Sequence, residues 1–344
     1  MKRFLSKISF TILPVWLLLI GWTAYYNWFV KPQETGDLGS LGKIPFGNVC
    51  DEQVVDTMYF NEIGSPEQLA NCPTDILTVG DSFSQQKCRS YQNFISSDSM
   101  TITNYAPTDV LYLNPFQTAY DLLERGYADS LNTKIMLVEC VERYLVPRLR
   151  IFSTNGNESD NKQNSLNMFG LKHEPIQQNY SPIIEAKNYF VMRFGLTRKK
   201  PVRHEMLSKD LFSGHYSRDL YFYQEDVTWD AEIDSADNQL IIGNLSQLFA
   251  KADEKGVRLL VMIASDKYDI YQNFIIDNPY QNKTVNEDLQ RITKNDSRIL
   301  YTKDVFVPMI ENGEKDLYYV NDSHWSVKGA MSVGKYLGEI FKSY

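Results

Sequence analysis

Short apolar runs of strand length recur along this chain, separated by stretches of helical period, and their spacing predicts the architecture. Ile76–Val79, Thr101–Tyr105, Ile135–Val138, Val257–Ile263 and Arg298–Tyr301 read as strands. Between the first two, Phe83–Ser96 reads as a helix. Asn114-Pro115 supplies an N-cap and a proline at the first helical position, opening a helix to Arg125 that Gly126 ends. Ile242, Leu245, Phe249 and Ala252 share one face of a helix that stops at Gly256, and another helix is expected near Val285–Ile292. A closing helix carries Ala330, Val333, Leu337, Ile340 and Phe341 on one stripe, with Ser326 as candidate N-cap. Such alternation, with strands apolar throughout, predicts an α/β fold: a parallel sheet with helices on both faces. Active residues then belong at the carboxyl ends of the strands.

Three regions depart from this rhythm. Lys2, Arg3 and Lys7 precede Ile8–Val30, an uncharged run of 23 residues closed by Lys31. A hydrocarbon core takes about 20 residues to cross. Trp16, Trp22, Tyr25, Tyr26 and Trp28 supply interfacial aromatics, and no small-x-small cleavage site follows, so an anchor is expected in preference to a signal peptide. The basic end should stay inside and the rest of the chain outside. Residues 32–70 read as a linker and lead-in, glycine- and proline-rich at first, with an additional element at Val54–Phe60. An insertion is expected at about 145–236, lying over the sheet edge: Asn155–Asn167 is almost wholly polar, and the remainder mixes aromatics with basic clusters such as Arg198-Lys-Lys200.

Composition adds exclusions. The 344 residues are 43% hydrophobic, enough for one large domain, and a net charge of -8 leaves no footprint for nucleic acid. Neither a phosphate-binding glycine loop nor Cys/His metal spacing is present, so no cofactor is expected. Cys50, Cys72, Cys88 and Cys140 follow the anchor into a compartment that permits disulfides. Three pairings are open, Cys50 with Cys72 among them, and Cys140 on an apolar strand reads equally as a buried thiol.

Candidate chemistry lies in two turns. Gly80-Asp81-Ser82 ends the first strand, placing Ser82 where backbone N–H groups can face a developing oxyanion. Alone, the tripeptide is ordinary turn chemistry. Of the four histidines only His324 has an acid two residues before it, Asp322. A serine nucleophile needs a base, and that base needs an acid to fix its tautomer. Asp81 is assigned to the turn.

Gly80-Asp81-Ser82 early and Asp322-x-His324 late resemble the first and last blocks of the SGNH, or GDSL, hydrolase superfamily. Tyr319-Val-Asn-Asp-Ser-His-Trp-Ser-Val-Lys-Gly-Ala330 and Ala264-Ser-Asp-Lys-Tyr-Asp-Ile-Tyr271 are, more narrowly, similar to stretches of alginate O-acetyltransferases. The resemblance spans most of residues 71–344. It implies an SGNH-like three-layer α/β/α catalytic domain behind a single-pass bacterial inner-membrane anchor, with its C-terminal domain periplasmic. It also implies O-acetyl transfer to a cell-surface or exopolysaccharide through an acetyl-serine, with acetyl groups supplied by a membrane-bound acyltransferase. The alternatives are a catalytically weak scaffold subunit of a polysaccharide-modification complex and an anchored acetylesterase.

Two departures bear on that reading. In the alginate enzymes the Asp-x-His block precedes the serine, whereas here serine comes first, as in the general superfamily and in the anchored D-alanine-transfer protein of teichoic acid synthesis. The glycine and Gly-x-Asn oxyanion blocks of most SGNH enzymes are replaced by Asn104-Tyr-Ala-Pro107 and Glu139-Cys-Val-Glu-Arg143. The N–H near Ala106 or the Arg143 guanidinium is the expected substitute donor, with Arg143 equally readable as an ion-pair partner of Glu139 or Glu142. Lys267 and Tyr271, beyond a strand's carboxyl end, are candidate sugar contacts or part of a solvated loop.

Overall fold

The computed structural model describes residues 2–30, 36–40, 55–69, 71–95, 100–107, 114–127, 133–154, 202–228 and 232–343, with scattered positions between 183 and 196; for residues 2–11, 30, 39 and 40 it describes backbone alone. The strands are β1 (Asn61–Ile63), β2 (Ile76–Val79), β3 (Ile102–Tyr105), β4 (Ile135–Val141), β5 (Val202–Met206), β6 (Asp219–Tyr223), β7 (Arg258–Ala264) and β8 (Ile299–Tyr301). Six of them form one sheet in the order β1-β3-β2-β4-β7-β8, and every neighbouring pair is parallel. The chain winds from β2 toward β3 on one side and from β4 toward β8 on the other. The winding therefore reverses between β2 and β4, and ligands of open α/β sheets bind outside the carboxyl ends at such a point.

The helices used below are α1 (Lys2–Tyr25), α2 (Asp37–Ser40), α3 (Pro115–Glu124), α4 (Glu142–Ile151), α5 (Ser235–Glu254), α6 (Lys267–Tyr271), α7 (Val285–Ile292), α8 (Thr302–Glu311) and α9 (Val327–Phe341). Successive strand residues face opposite sides. Leu77, Val79, Met136 and Val138 pack with apolar residues of α3, α4, α5 and α7, while Ile76, Ile135, Leu137 and Met262 pack with those of α8 and α9. Burial on both faces is why these strands read as continuous apolar runs. Asn114 caps α3 by accepting from the Phe116 N–H, and Gly126, at φ 74°, closes it. Ser326 accepts from the Gly329 N–H at the start of α9.

Several expectations need correction. Residues 83–95 form no α-helix: three separate 3-10 turns, Ser82–Ser84, Lys87–Arg89 and Tyr91–Phe94, take its place, and Ser96 lies outside the described residues. Lys87 sits in the left-handed region at φ 53°, which a helix cannot contain. The Ser84 carbonyl accepts from the side-chain amides of Gln92 and Asn104 rather than from a helical N–H. The lead-in strand is Asn61–Ile63, beyond the irregular residues 55–60, and Val54 lies outside the described residues. β4 runs three residues past Val138, carrying Glu139 and Cys140 into the sheet.

The region at 145–236 begins with most of α4 and includes the antiparallel hairpin β5–β6. Leu207, Phe212, Leu220 and Phe222 of that hairpin join Tyr268 and Tyr271 of α6 in the core, so it packs beside the carboxyl end of β7. Asn155–Asn167, Arg198–Lys200 and Cys50 lie outside the described residues. Cys72, Cys88 and Cys140 are free thiols, and burial pushes the Cys140 pKa up to about 12. α1 continues as a π-helix over Tyr26–Val30. Among the described residues no helix is long and apolar enough to cross a membrane.

Candidate active site

Gly80 begins the turn after β2. A Cβ there would collide with the Ser84 hydroxyl and the Glu139 carboxyl, so only glycine lets β2 end against β4. Asp81 then turns its carboxylate inward, where it accepts from the Val141 N–H at 2.9 Å and from Arg148 of α4 at 2.6 Å. Burial opposes this charge, but the Arg148 guanidinium and the hydrogen bonds outweigh it and lower the Asp81 pKa. Glu139 stands opposite with its pKa pushed well above the carboxylate range, by burial and by the Asp81 charge. Its Oε2 accepts from the Asp81 N–H and the Ser84 hydroxyl, both at 2.9 Å. Two carboxyls with opposed pKa shifts thus brace the turn from both sides, and Ser82 is left half-buried at its tip.

His324 arrives from the other end of the chain. Asp322 Oδ1 accepts from the His324 backbone N–H at 3.0 Å and from the ring Nδ1–H at 2.6 Å. A spacing of two residues allows one carboxylate oxygen to hold both groups, as in an Asx turn. The other ring nitrogen, Nε2, lies 2.8 Å from Ser82 Oγ. Burial alone would raise the Asp322 pKa, but the hydrogen bond and charge of His324 hold it at about 2. An ionised carboxylate only accepts, so Nδ1 carries the proton and Nε2 of the neutral ring is free to accept from the serine hydroxyl. Burial pulls the His324 pKa down and Arg143 adds to that, yet the bond and charge of Asp322, with the charge of Asp37, raise it above its ordinary value. Phe83 lies against the imidazole at 4.7 Å between ring centroids, and the buried Trp325 packs on Phe83 and Phe306.

The remaining expected site residues do other things. The Ala106 N–H donates to the Ile63 carbonyl at 2.8 Å, closing β3 onto β1, and is spent. Arg143 pairs with Asp266 at 2.5 Å and Asp226 at 3.3 Å rather than with Glu139 or Glu142. Its guanidinium also lies over the rings of Tyr144 and Tyr223. Lys267 is no sugar contact: fully buried, its ammonium donates to the carbonyls of Tyr319 (2.5 Å), Val320 (2.9 Å) and Asp322 (3.1 Å). Tyr271 is fully buried too, its ring against Phe212 and Tyr318. Their side chains face the core because the strand before them feeds α6 directly, with no solvated loop between.

Of the N–H groups in the serine turn, those of Asp81, Phe83 and Ser84 hold the turn itself. The Ser82 N–H is the donor left for an oxyanion. A 3-10 turn of three residues lends it little of the dipole that a full helix would.

The linker contributes a residue that sequence reasoning missed. Asp37 lies with its Oδ2 3.8 Å from His324 Nδ1 and accepts from both the backbone and the hydroxyl of Ser323. Asp37, Asp322 and His324 are close enough together to surround a cation. Asp37 accepts from Ser323, Asp322 accepts from His324, and His324 Nε2 faces Ser82, which is the pattern of a hydrogen-bonded relay. Only the acidic side chain in a Gly-Asp step marked this position in the sequence. The chain matches no family model, no curated protein and no solved structure.

Proposed function

We propose that this protein is an acyltransferase of SGNH type, working through Ser82, His324 and Asp322, that moves acetyl groups onto a cell-surface or exported polysaccharide. The observation that carries this reading is the unbroken relay from Ser82 Oγ through both ring nitrogens of His324 to Asp322. Its position at the reversal of sheet winding supports it. Ser82 Oγ attacks the acyl carbonyl as its proton passes to His324 Nε2, and Asp322 stabilises the imidazolium that forms. The tetrahedral oxyanion takes the Ser82 N–H. His324 returns the proton to the leaving group; it then removes one from an acceptor hydroxyl that attacks the acetyl carbonyl, and gives that proton to Ser82 Oγ as the serine ester bond breaks.

In the same reading, the apolar run Ile8–Val30 anchors the chain in a bacterial inner membrane, beside a membrane-bound partner that supplies acetyl groups. Ile12, Leu13, Val15, Leu17, Leu18 and Ile20 of α1 are all exposed, so the helix offers apolar surface around its girth. At its far end the Trp22 indole donates to the Ala186 carbonyl at 2.7 Å and meets Phe190 edge-on, which suits an aromatic belt at an interface.

A second reading, a scaffold subunit with weak catalysis, is favoured by one observation: the Ala106 N–H is committed to the Ile63 carbonyl and Arg143 Nη1 to Asp266 and Asp226. Burst kinetics with p-nitrophenyl acetate separate the two. The acyltransferase reading predicts one equivalent of nitrophenol in the burst, lost in Ser82→Ala, and acetyl transfer when an oligosaccharide is added. No burst with any acyl donor supports the scaffold, and a burst followed only by hydrolysis supports an esterase.

A further inference from the structure

Asp37 follows Val30 by seven residues, in a stretch whose composition reads as a spacer. Yet it meets the loop carrying Asp322 and His324 from outside the sheet domain. Its Oδ1 accepts from the Ser323 N–H at 2.7 Å and its Oδ2 from the Ser323 hydroxyl at 2.5 Å. Its own N–H points at Asp322 Oδ2 from 3.4 Å. Either side of it the chain is equally committed. Gly36 lies so close to Asn321 that any Cβ would run into the Asn321 carbonyl, and Leu38 is fully buried in the core with the hairpin residues Leu220 and Phe222.

We propose that Asp37 is a positioning residue of this active site, clamping the Asp322–His324 loop through Ser323 and presenting a second carboxylate to the imidazole. The inference rests on reading Ser82, His324 and Asp322 as a triad, and it makes the membrane-proximal segment part of the machinery. The groups facing Asp37 and His324 from the surrounding elements are Asp322 on the same loop, Arg143 from α4 and Tyr223 from β6. Arg143 opposes a charged imidazole and the two carboxylates favour it; burial and the Asp322 charge raise the pKa of Asp37 itself, while the His324 charge and the Ser323 hydroxyl pull it down. Ser323, held at both its N–H and its hydroxyl, cannot rotate the loop away from Ser82 without breaking two charge-assisted bonds. Seven residues span about 25 Å at full extension, so the clamp also keeps the Asp37–Ser323 contact within that reach of the apolar helix.

The test is a titration of His324 by nuclear magnetic resonance, using the full chain in detergent micelles with ring-labelled histidine and His324→Gln to assign the signal. Asp37→Asn removes the charge while leaving an acceptor for the Ser323 N–H. Without that charge the imidazolium loses its proton more readily, so the His324 midpoint should fall by roughly 0.5–1 pH unit. Asp37→Glu, which keeps the charge, should stay nearer the wild type. An unchanged midpoint in a folded Asp37→Asn protein, or equal shifts in both variants, would overturn the proposal. Ser323→Ala, which deletes one hydroxyl, should lower kcat several-fold at constant KM; a wild-type kcat would overturn the clamp. The titration needs no turnover, so it decides the role of Asp37 separately from the burst experiment that decides the triad.

Discussion

At the scale of single residues, the site is a matter of which groups hold protons. Asp322 sits near 2 and His324 above its ordinary value, so the imidazole is cationic at low pH and cannot accept from Ser82. The acylation rate should therefore rise with pH through a midpoint above 6.5 and be lost on acidification. A pH profile of the burst rate checks this, and a midpoint below 6.5 would contradict it. Asp322→Asn should cost on the order of 10⁴ in kcat with little effect on folding, because the amide no longer fixes the tautomer. Ser82, Asp322 and His324 were legible in the sequence because each belongs to a local motif whose turn chemistry is written in adjacent residues. Asp37 was not. Its meaning depends on a contact with Ser323, 286 positions away, and nothing in the local composition encodes that.

At the scale of elements, the strands and long helices follow their periodicity, and the serine turn does not. The stretch after Ser82 carries enough side-chain donors and acceptors to satisfy its own backbone, so the helical reading failed where local hydrogen bonding competes best. Lys267 and Arg148 show the same limit: both looked like surface chemistry, or like nothing, and both are buried struts. Lys267→Met leaves three carbonyls of the histidine loop without their donor. It should cost roughly 2 kcal/mol in stability, measured by chemical denaturation, and lower kcat more than KM. Arg148→Met strands the buried Asp81 carboxylate and should cost about 3–5 kcal/mol, unless Asp81→Asn is introduced with it. Full stability in the Arg148 single variant would refute the bracing role given to Asp81.

At the scale of the whole molecule, the parallel sheet brings residues 82 and 324 together because β2 lies at its centre and α9 returns to the face that the serine turn covers. The alternation of elements foretold that sheet, but not that the linker would reach back onto the site. If α1 is the anchor, full-length protein should remain with membranes through carbonate extraction, and a chain lacking residues 1–30 should be released. Extraction of the full-length chain would refute the anchor and leave the triad untouched. The central claim is that Ser82 is a nucleophile, and it is met most directly by mass spectrometry of the protein quenched in the presence of an activated acetyl ester. One acetyl group is expected on the peptide containing Ser82, absent in Ser82→Ala and in His324→Gln. An unmodified Ser82 peptide, or equal labelling in all three proteins, would contradict it.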